Sequence, residues 1–184
     1  FLFTDEIEVE EKRVLLRLDV NVPIQDGVVS DDTRIRRILP GLQALISAKA
    51  KVIILTHFGR PKGKVVPELS LRPVADCMSK LLSQSIAVET DVIGAGGSAA
   101  VESLQPGQIL MMENLRFYPE EEANDLSFAN DLAKLGDLYV GDAFSCAHRA
   151  HASVDALPRL MPIALAGQSF IAELDALNSA LAEP

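Results

Sequence analysis

All three histidines of this 184-residue chain, and four of its ten arginines, fall in four short segments. These are RLDVNVP (17–23), THFGRP (56–61), ENLRF (113–117) and DAFSCAHRAH (142–151). The cationic groups are Arg17, His57, Arg60, Arg116, His148, Arg149 and His151. An arginine presents a rigid fork of N–H donors that matches a carboxylate or a phosphate. Asp19 and Asn21 have the opposite chemistry and suit a hydroxyl on the same ligand. The set points to a small, multiply anionic, hydroxylated metabolite. One arginine at a strand end is ordinarily a surface salt bridge, and one histidine ordinarily a satisfied structural residue. What a structural explanation accounts for badly is the recurrence in four segments. His148 and His151 are three residues apart in a loop, and the cysteines complete no zinc spacing with them, so no metal site is expected.

The elements that must position these segments are legible in the apolar pattern. Short, nearly continuous apolar runs at 13–18, 51–55, 86–88, 108–112, 138–140 and 163–166 have the length and hydrophobicity of strands buried on both faces. Between them lie helical stripes. In 33–48, Ile35, Ile38, Leu39, Leu42, Leu45 and Ile46 recur at three- and four-residue spacing, with Asp31, Asp32 or Thr33 as cap. Pro40 lies inside this stripe and is expected to bend or break it. Further helices are expected at 71–83 behind a Ser70 cap, at 98–104, at 125–135 between an Asp125 cap and Gly136, and at 170–182. The run Glu120–Glu122 is most simply a solvated face. Strand and helix alternating in this way imply an α/β, three-layer, Rossmann-like domain with a parallel sheet and helices on both faces. Ligands of such sheets bind beyond the carboxyl ends of the strands, where the four cationic segments lie.

Composition limits the function. The 17 Lys and Arg stand against 26 Asp and Glu, a net charge of −9, so neither nucleic acid nor an anionic membrane is an expected partner. No apolar run reaches the roughly 18 residues of a membrane span. The acidic opening FLFTDEIEVEEKR is not a secretory signal, and Cys77 and Cys146 form no CxxC, which suits reduced thiols in a cytoplasmic protein. Two glycine-rich loops compete as phosphate cradles. GRPKGK (59–64) imitates a Walker loop but has one residue too few between its glycines, and Val65 where Ser or Thr must hold magnesium. GAGGSA (94–99) fits the dinucleotide fingerprint, with Glu113 about 20 residues on. Against it, Asp91 interrupts the preceding strand, and the loop follows the third strand rather than the first.

The segments RLDVNVP, DDTRIRRILP (31–40), THFGRPKG (56–63), SLRPVA (70–75), ENLRFYPEEE (113–122) and GDAFSCAHRAHAS (141–153) together resemble the N-terminal, substrate-binding domain of phosphoglycerate kinases. They span nearly the whole chain in the family's order. The resemblance implies a six-stranded sheet in the order 3-4-2-1-5-6, a single domain over 1–184 with 170–184 opening an inter-domain helix, and a nucleotide-binding domain that these residues do not include. It implies a site for 3-phosphoglycerate or 1,3-bisphosphoglycerate. Asp19 and Asn21 would take the hydroxyl and carboxylate end. His57, Arg60, Arg116 and Arg149 would hold the phosphate, and Arg17, His148 and His151 would complete the basic patch. Arg34 would be catalytic, facing the substrate carboxylate and the phosphoryl group in flight. Mg-ATP or ADP would be bound by the second domain, with no cofactor site expected here and no turnover by these residues alone. Five positions depart from the family pattern. Gly141 replaces a usual Asn, Ser145-Cys146 replaces a common Gly-Thr, and Thr56 and Phe58 replace Ser and Leu. Two other functions stay open on the sequence: half of a dinucleotide-dependent dehydrogenase using the Gly94–Ala99 loop, and a non-catalytic module binding anionic metabolites.

Overall fold

The computed structural model describes residues 7–182. Its elements run β1 (Arg13–Leu18), β2 (Ile24–Gln25), β3 (Val28–Val29), α1 (Thr33–Ser47), β4 (Lys51–Leu55), α2 (Arg72–Leu82), β5 (Ala87–Glu89), α3 (Ala95–Ser103), β6 (Ile109–Met112), α4 (Pro119–Glu122), α5 (Leu126–Ala133), β7 (Leu138–Asp142), α6 (Leu157–Leu160), β8 (Ala164–Ala166) and α7 (Gln168–Ala182). Six strands form one sheet in the order β5-β6-β4-β1-β7-β8, every pair parallel. Numbered by their succession in that sheet, they read 3-4-2-1-5-6. This is the order expected from the resemblance.

Alternation along β1 separates two cores. Val14, Leu16 and Leu18 face α1 and α2, joining Ile35, Ile38, Leu42 and Met78 in one cluster. Leu15 faces the opposite side with Ile53, Val101, Phe128, Leu132 and Leu157, from β4, α3, α5 and α6. Helices therefore cover both faces. The central strands β1, β4 and β6 carry almost unbroken burial, which is why they read as continuous apolar runs.

Several local expectations change. Helix α1 runs without a break through Pro40. Pro40 itself is exposed, while Ile35, Ile38, Leu39, Leu42 and Leu45 are buried on both sides of it. Burial of five aliphatic side chains, each about 1.5–3 kcal/mol, outweighs one lost hydrogen bond. Helix α2 starts at Arg72, so Ser70 sits one residue outside the cap position; its Oγ still accepts the Arg72 N–H at 3.3 Å. Helix α3 begins at Ala95, three residues earlier than expected. Asp125 caps α5 as expected, accepting the Phe128 N–H at 2.8 Å. Gly136 is not in the left-handed conformation of a helix terminator. A Cβ there would lie 2.4 Å from Leu15 Cγ, so glycine is required by the close approach of the loop to β1. The glutamate run is not uniformly solvated, because Glu121 is fully buried. The β2–β3 hairpin was not expected, although its Asp26-Gly27 turn, both residues at positive φ, is the usual local signal for one.

Candidate anion-binding site

The tails of β1, β4, β6 and β7 meet beyond the carboxyl edge of the sheet. They enclose a cleft of about 210 Å³ lined by Asp19, Asn21, His57, Gly59, Arg60, Arg116, Ser145, Cys146 and Arg149. Three guanidinium groups and one imidazole from three different strand tails therefore share one cavity in a chain of net charge −9.

The floor is the most ordered part. Arg17, the last but one residue of β1, alternates onto the α5 and α6 side and is 1% exposed. Its Nε donates to Ser153 Oγ at 2.8 Å, its Nη1 to the Leu18 carbonyl, and its Nη2 to His57 Nδ1 at 2.9 Å. Ser153 in turn donates its hydroxyl and its N–H to the buried Glu121 carboxylate. Glu121 thus offsets the Arg17 charge through one hydroxyl. Because Arg17 donates to Nδ1, the proton of the neutral His57 ring sits on Nε2, which is the donor left for the cleft. Burial, then the charges of Arg17 and Arg116, push the His57 pKa down to about 3, against the opposing pull of Asp19. His57 is a neutral donor at physiological pH.

The THFGRP loop is fixed from β6. Asn114 Oδ1 accepts the N–H of Phe58 at 3.2 Å and of Arg116 at 3.1 Å, and its Nδ2 donates to the carbonyls of Phe58 at 2.7 Å and Leu69 at 3.0 Å. Glu113 accepts from Ser70 Oγ at 2.7 Å and from the Leu71 N–H at 2.8 Å. Gly59 has φ +60, and a Cβ on it would meet Leu69 Cδ2 at 2.8 Å, so only glycine turns the chain here. Its N–H donates to Asn21 Oδ1 at 3.2 Å, and its carbonyl accepts from Arg116 Nη1 at 2.8 Å. Arg116 is 5% exposed, yet its buried Nε has no hydrogen-bond partner, with Glu122 Oε1 no nearer than 3.9 Å. Burial lowers the Arg116 pKa, and the charges of Arg149 and Arg17 add to this. A buried guanidinium with an unmet donor is the arrangement an arriving anion satisfies.

On the other wall, Asp19 Oδ2 accepts from Arg34 Nη1 at 2.9 Å and from the Ser145 hydroxyl, while Oδ1 accepts the Asn21 N–H at 3.1 Å. Burial raises the Asp19 pKa, but the Ser145 and Asn21 hydrogen bonds and the Arg34 charge outweigh it, and the net shift is downward. Asp19 stays ionised. Arg34, exposed on the first turn of α1, is not in the 210 Å³ cleft. It lines two adjoining cavities, one shared with Asn21 and one with Asp19 and Ser145.

The structure therefore brings together Asp19, Asn21, His57, Arg60, Arg116 and Arg149, with Arg34 one residue away across Asp19. Arg17 lies behind them, engaged by protein partners. His148 is exposed and does not line the cleft, and His151 is half-buried outside it, its pKa lowered mainly by burial. Sequence reasoning missed Asn114, Ser145 and the Ser153–Glu121 pair. The motif strings contain them, but each works through a partner 32 to 136 positions away.

The glycine-rich loop at 94–99 leads into α3 behind β5, the strand at the far edge of the sheet. There the Asp91 carboxylate accepts the Gly96 N–H at 2.8 Å. A carboxylate of the chain itself occupies the helix start where a pyrophosphate would bind, which disfavours the dinucleotide reading.

Comparison with known proteins agrees with this geometry. The sequence matches the family model for phosphoglycerate kinase over residues 4–184. The chain belongs to the phosphoglycerate kinase family. A phosphoglycerate kinase of Ruegeria sp. is 52% identical over 180 residues, covering 98% of this chain and 45% of its own length. One from Caulobacter sp. is 50% identical over 184 residues, covering all of this chain and 46% of its own length. The solved phosphoglycerate kinase of Coxiella burnetii superposes with a TM-score of 0.89 at 39% identity, over all of this chain and 46% of that one. That of Pyrococcus horikoshii OT3 superposes with a TM-score of 0.88 at 31% identity. The chain thus spans about half the length of the phosphoglycerate kinases it matches. Among the described residues, no helix is long and apolar enough to cross a membrane.

Proposed function

We propose that the cleft binds 3-phosphoglycerate and that the chain supplies the substrate half of a glycolytic phosphoryl transfer. The reaction moves a phosphoryl group from ATP to the carboxylate of 3-phosphoglycerate, giving ADP and 1,3-bisphosphoglycerate. The observation that carries the reading is Arg116, buried with an unmet donor in a cleft that also holds Arg60 and Arg149. Those three guanidinium groups, with the neutral His57 donor, hold the substrate phosphate. Asp19 and Asn21 accept and donate at the hydroxyl and carboxylate end. Arg34 turns to the carboxylate and to the phosphoryl group in flight.

A carboxylate is ionised near neutral pH and attacks without a general base. In-line transfer then depends on alignment and on positive charge at the equatorial oxygens. Arg34, exposed and within reach of the cleft wall, suits that role. The nucleotide, as Mg-ATP or ADP, is the complementary substrate of a second domain. Residues 1–184 by themselves bind 3-phosphoglycerate without turning it over. A coupled assay that detects ATP-dependent phosphorylation by these residues would overturn this last statement.

Titration of 3-phosphoglycerate, ATP and NADH separately into the chain, followed by amide NMR, tests the assignment. The expected result is saturable shifts at His57–Arg60 and Asn114–Arg116 with 3-phosphoglycerate only. Shifts confined to Gly94–Gly97 with NADH would restore the dehydrogenase reading. By calorimetry, Arg60→Ala and Arg116→Ala each weaken binding about 10- to 100-fold, the loss of one charge-assisted hydrogen bond or pair. Arg34→Ala in an enzyme carrying both domains lowers mostly kcat. Equal effects of all three substitutions on KM and kcat would contradict this division, and binding that survives Arg34→Ala with no turnover restored by a complementary nucleotide-binding domain would favour a non-catalytic module.

A further inference from the structure

Among the described residues Asp19 is the one carboxylate lining the 210 Å³ cleft, and an anionic ligand placed there faces it. What keeps such a group in position is therefore part of how the site works. Its Oδ2 has two donors of different kinds. Arg34 Nη1 approaches at 2.9 Å from α1, on a guanidinium that is half exposed. The Ser145 hydroxyl approaches from the tail of β7.

These donors differ in how firmly they are held. Arg34 is a long side chain on an exposed helix turn. Ser145 stands on the turn Phe144–Cys146, whose backbone is closed by Cys146 N–H to the Ala143 carbonyl at 3.0 Å, Ala147 N–H to Phe144 at 3.0 Å and Arg149 N–H to Cys146 at 3.0 Å. Phe144 packs edge-on against Phe170 of α7 with ring centroids 5.2 Å apart, and Cys146 is buried. Both side chains are exposed, but a short one on a turn tied at both ends has little freedom to lose, whereas a long arginine pays rotamer entropy for every contact.

We propose that Ser145 is a positioning residue: its hydroxyl, carried across the cleft from the turn after β7, holds the Asp19 carboxylate in place when Arg34 leaves Asp19 for an incoming anion. With Arg34 gone, Asp19 would lose its nearest counter-charge as a negative ligand arrives. The Ser145 hydroxyl and the Asn21 N–H then remain as its donors, one on each oxygen, and leave a lone pair on Asp19 for a ligand hydroxyl. The downward pKa shift of Asp19 has the same origin, since the Ser145 bond opposes burial more strongly than Arg34 does. The ligand-specific part of this inference rests on the proposed 3-phosphoglycerate reading.

Three variants and two readouts test it. In the ligand-free chain, the Asp19 carboxyl is titrated by carbon-detected NMR in the wild type, Ser145→Ala, Ser145→Thr and Arg34→Ala. Ser145→Ala is expected to move the Asp19 midpoint upward by more than Arg34→Ala does, and Ser145→Thr to leave it near the wild-type position. An unmoved midpoint in Ser145→Ala overturns the proposal whatever the ligand is. By calorimetry, Ser145→Ala is expected to weaken 3-phosphoglycerate binding about three- to tenfold, while binding of 3-phosphooxypropanoate, which lacks the 2-hydroxyl, and of inorganic phosphate stays unchanged. Equal weakening of all three ligands would mean that the turn shapes the cleft generally, and would also overturn it. If wild-type chain binds none of them, the function reading fails, and the Asp19 titration still decides the role of Ser145.

Discussion

Arg17 is the residue whose chemistry is least like its position suggests. Among the described residues it is the largest fully buried side chain, and its three nitrogens are bonded to Ser153, the Leu18 carbonyl and His57. Its charge is met through Ser153 by Glu121, so it organises the floor of the cleft from behind. Its chief effect is on His57, whose Nδ1 it occupies and whose protonation it opposes. The folded-state pKa of His57, about 3, lies below the unfolded value near 6.5. The unfolded chain therefore binds the proton first, and the contribution of His57 to stability is complete above pH 6.5 and is lost as pH falls from there toward 3. Urea unfolding between pH 6.5 and 5 should show wild-type stability falling with a slope approaching 1.4 kcal/mol per pH unit from this residue. His57→Asn should be less stable at pH 7 but lose most of that slope. An unchanged slope in the variant would mean that His57 takes up its proton as readily in the folded as in the unfolded chain.

At the scale of elements, close approach decides more than propensity. The loop between α5 and β7 touches β1 so nearly that Gly136 has no room for a Cβ. Gly136→Ala should cost about 1–3 kcal/mol by overpacking against the buried Leu15, read as a lower urea midpoint at unchanged slope. A neutral result would mean that Leu15 can change rotamer freely. The same principle explains α1. Pro40 weakens the helix locally, but its exposed position leaves the buried stripe intact on either side. Much of this scale was legible beforehand, because strands covered on two faces must be apolar throughout and helices covered on one face must be apolar at three- and four-residue spacing. The exceptions, Gly136 and Glu121, depend on neighbours that local periodicity does not carry: Leu15 in the first strand and Ser153 in a turn 32 residues downstream.

At the scale of the whole molecule, a protein with net charge −9 places Arg60, Arg116 and Arg149 in one cavity, and part of the stability that burial of Arg116 forfeits should return when an anion binds. A ligand that binds only the folded state adds about 2.7 kcal/mol at roughly 100 times its Kd. Thermal unfolding should accordingly shift upward with 3-phosphoglycerate, shift less at higher salt as the charges are screened, and not move with NADH. Equal upward shifts with both compounds would indicate non-specific stabilisation. The last helix bears on the same scale. Leu177 is 47% and Leu181 74% exposed, so the apolar stripe of α7 is covered only toward its start, where Ile171 and Leu174 are half-buried.

By itself the sequence determined the parallel α/β architecture, the strand boundaries to within about two residues, and the four segments that hold all three histidines and four of the ten arginines. Each follows from local pattern: which positions are apolar, and what comes directly after each apolar run. Only the tertiary structure decided which cations meet. Arg17, His148 and His151 lie in the same set of four segments as Arg60, Arg116 and Arg149, yet Arg17 is turned inward by strand alternation, and the two histidines stand outside the cleft. Only folding, too, brought Ser145 to Asp19 across 126 residues of chain. Side-chain direction and long-range hydrogen bonding depend on packing between strands far apart in sequence, and no local window contains them.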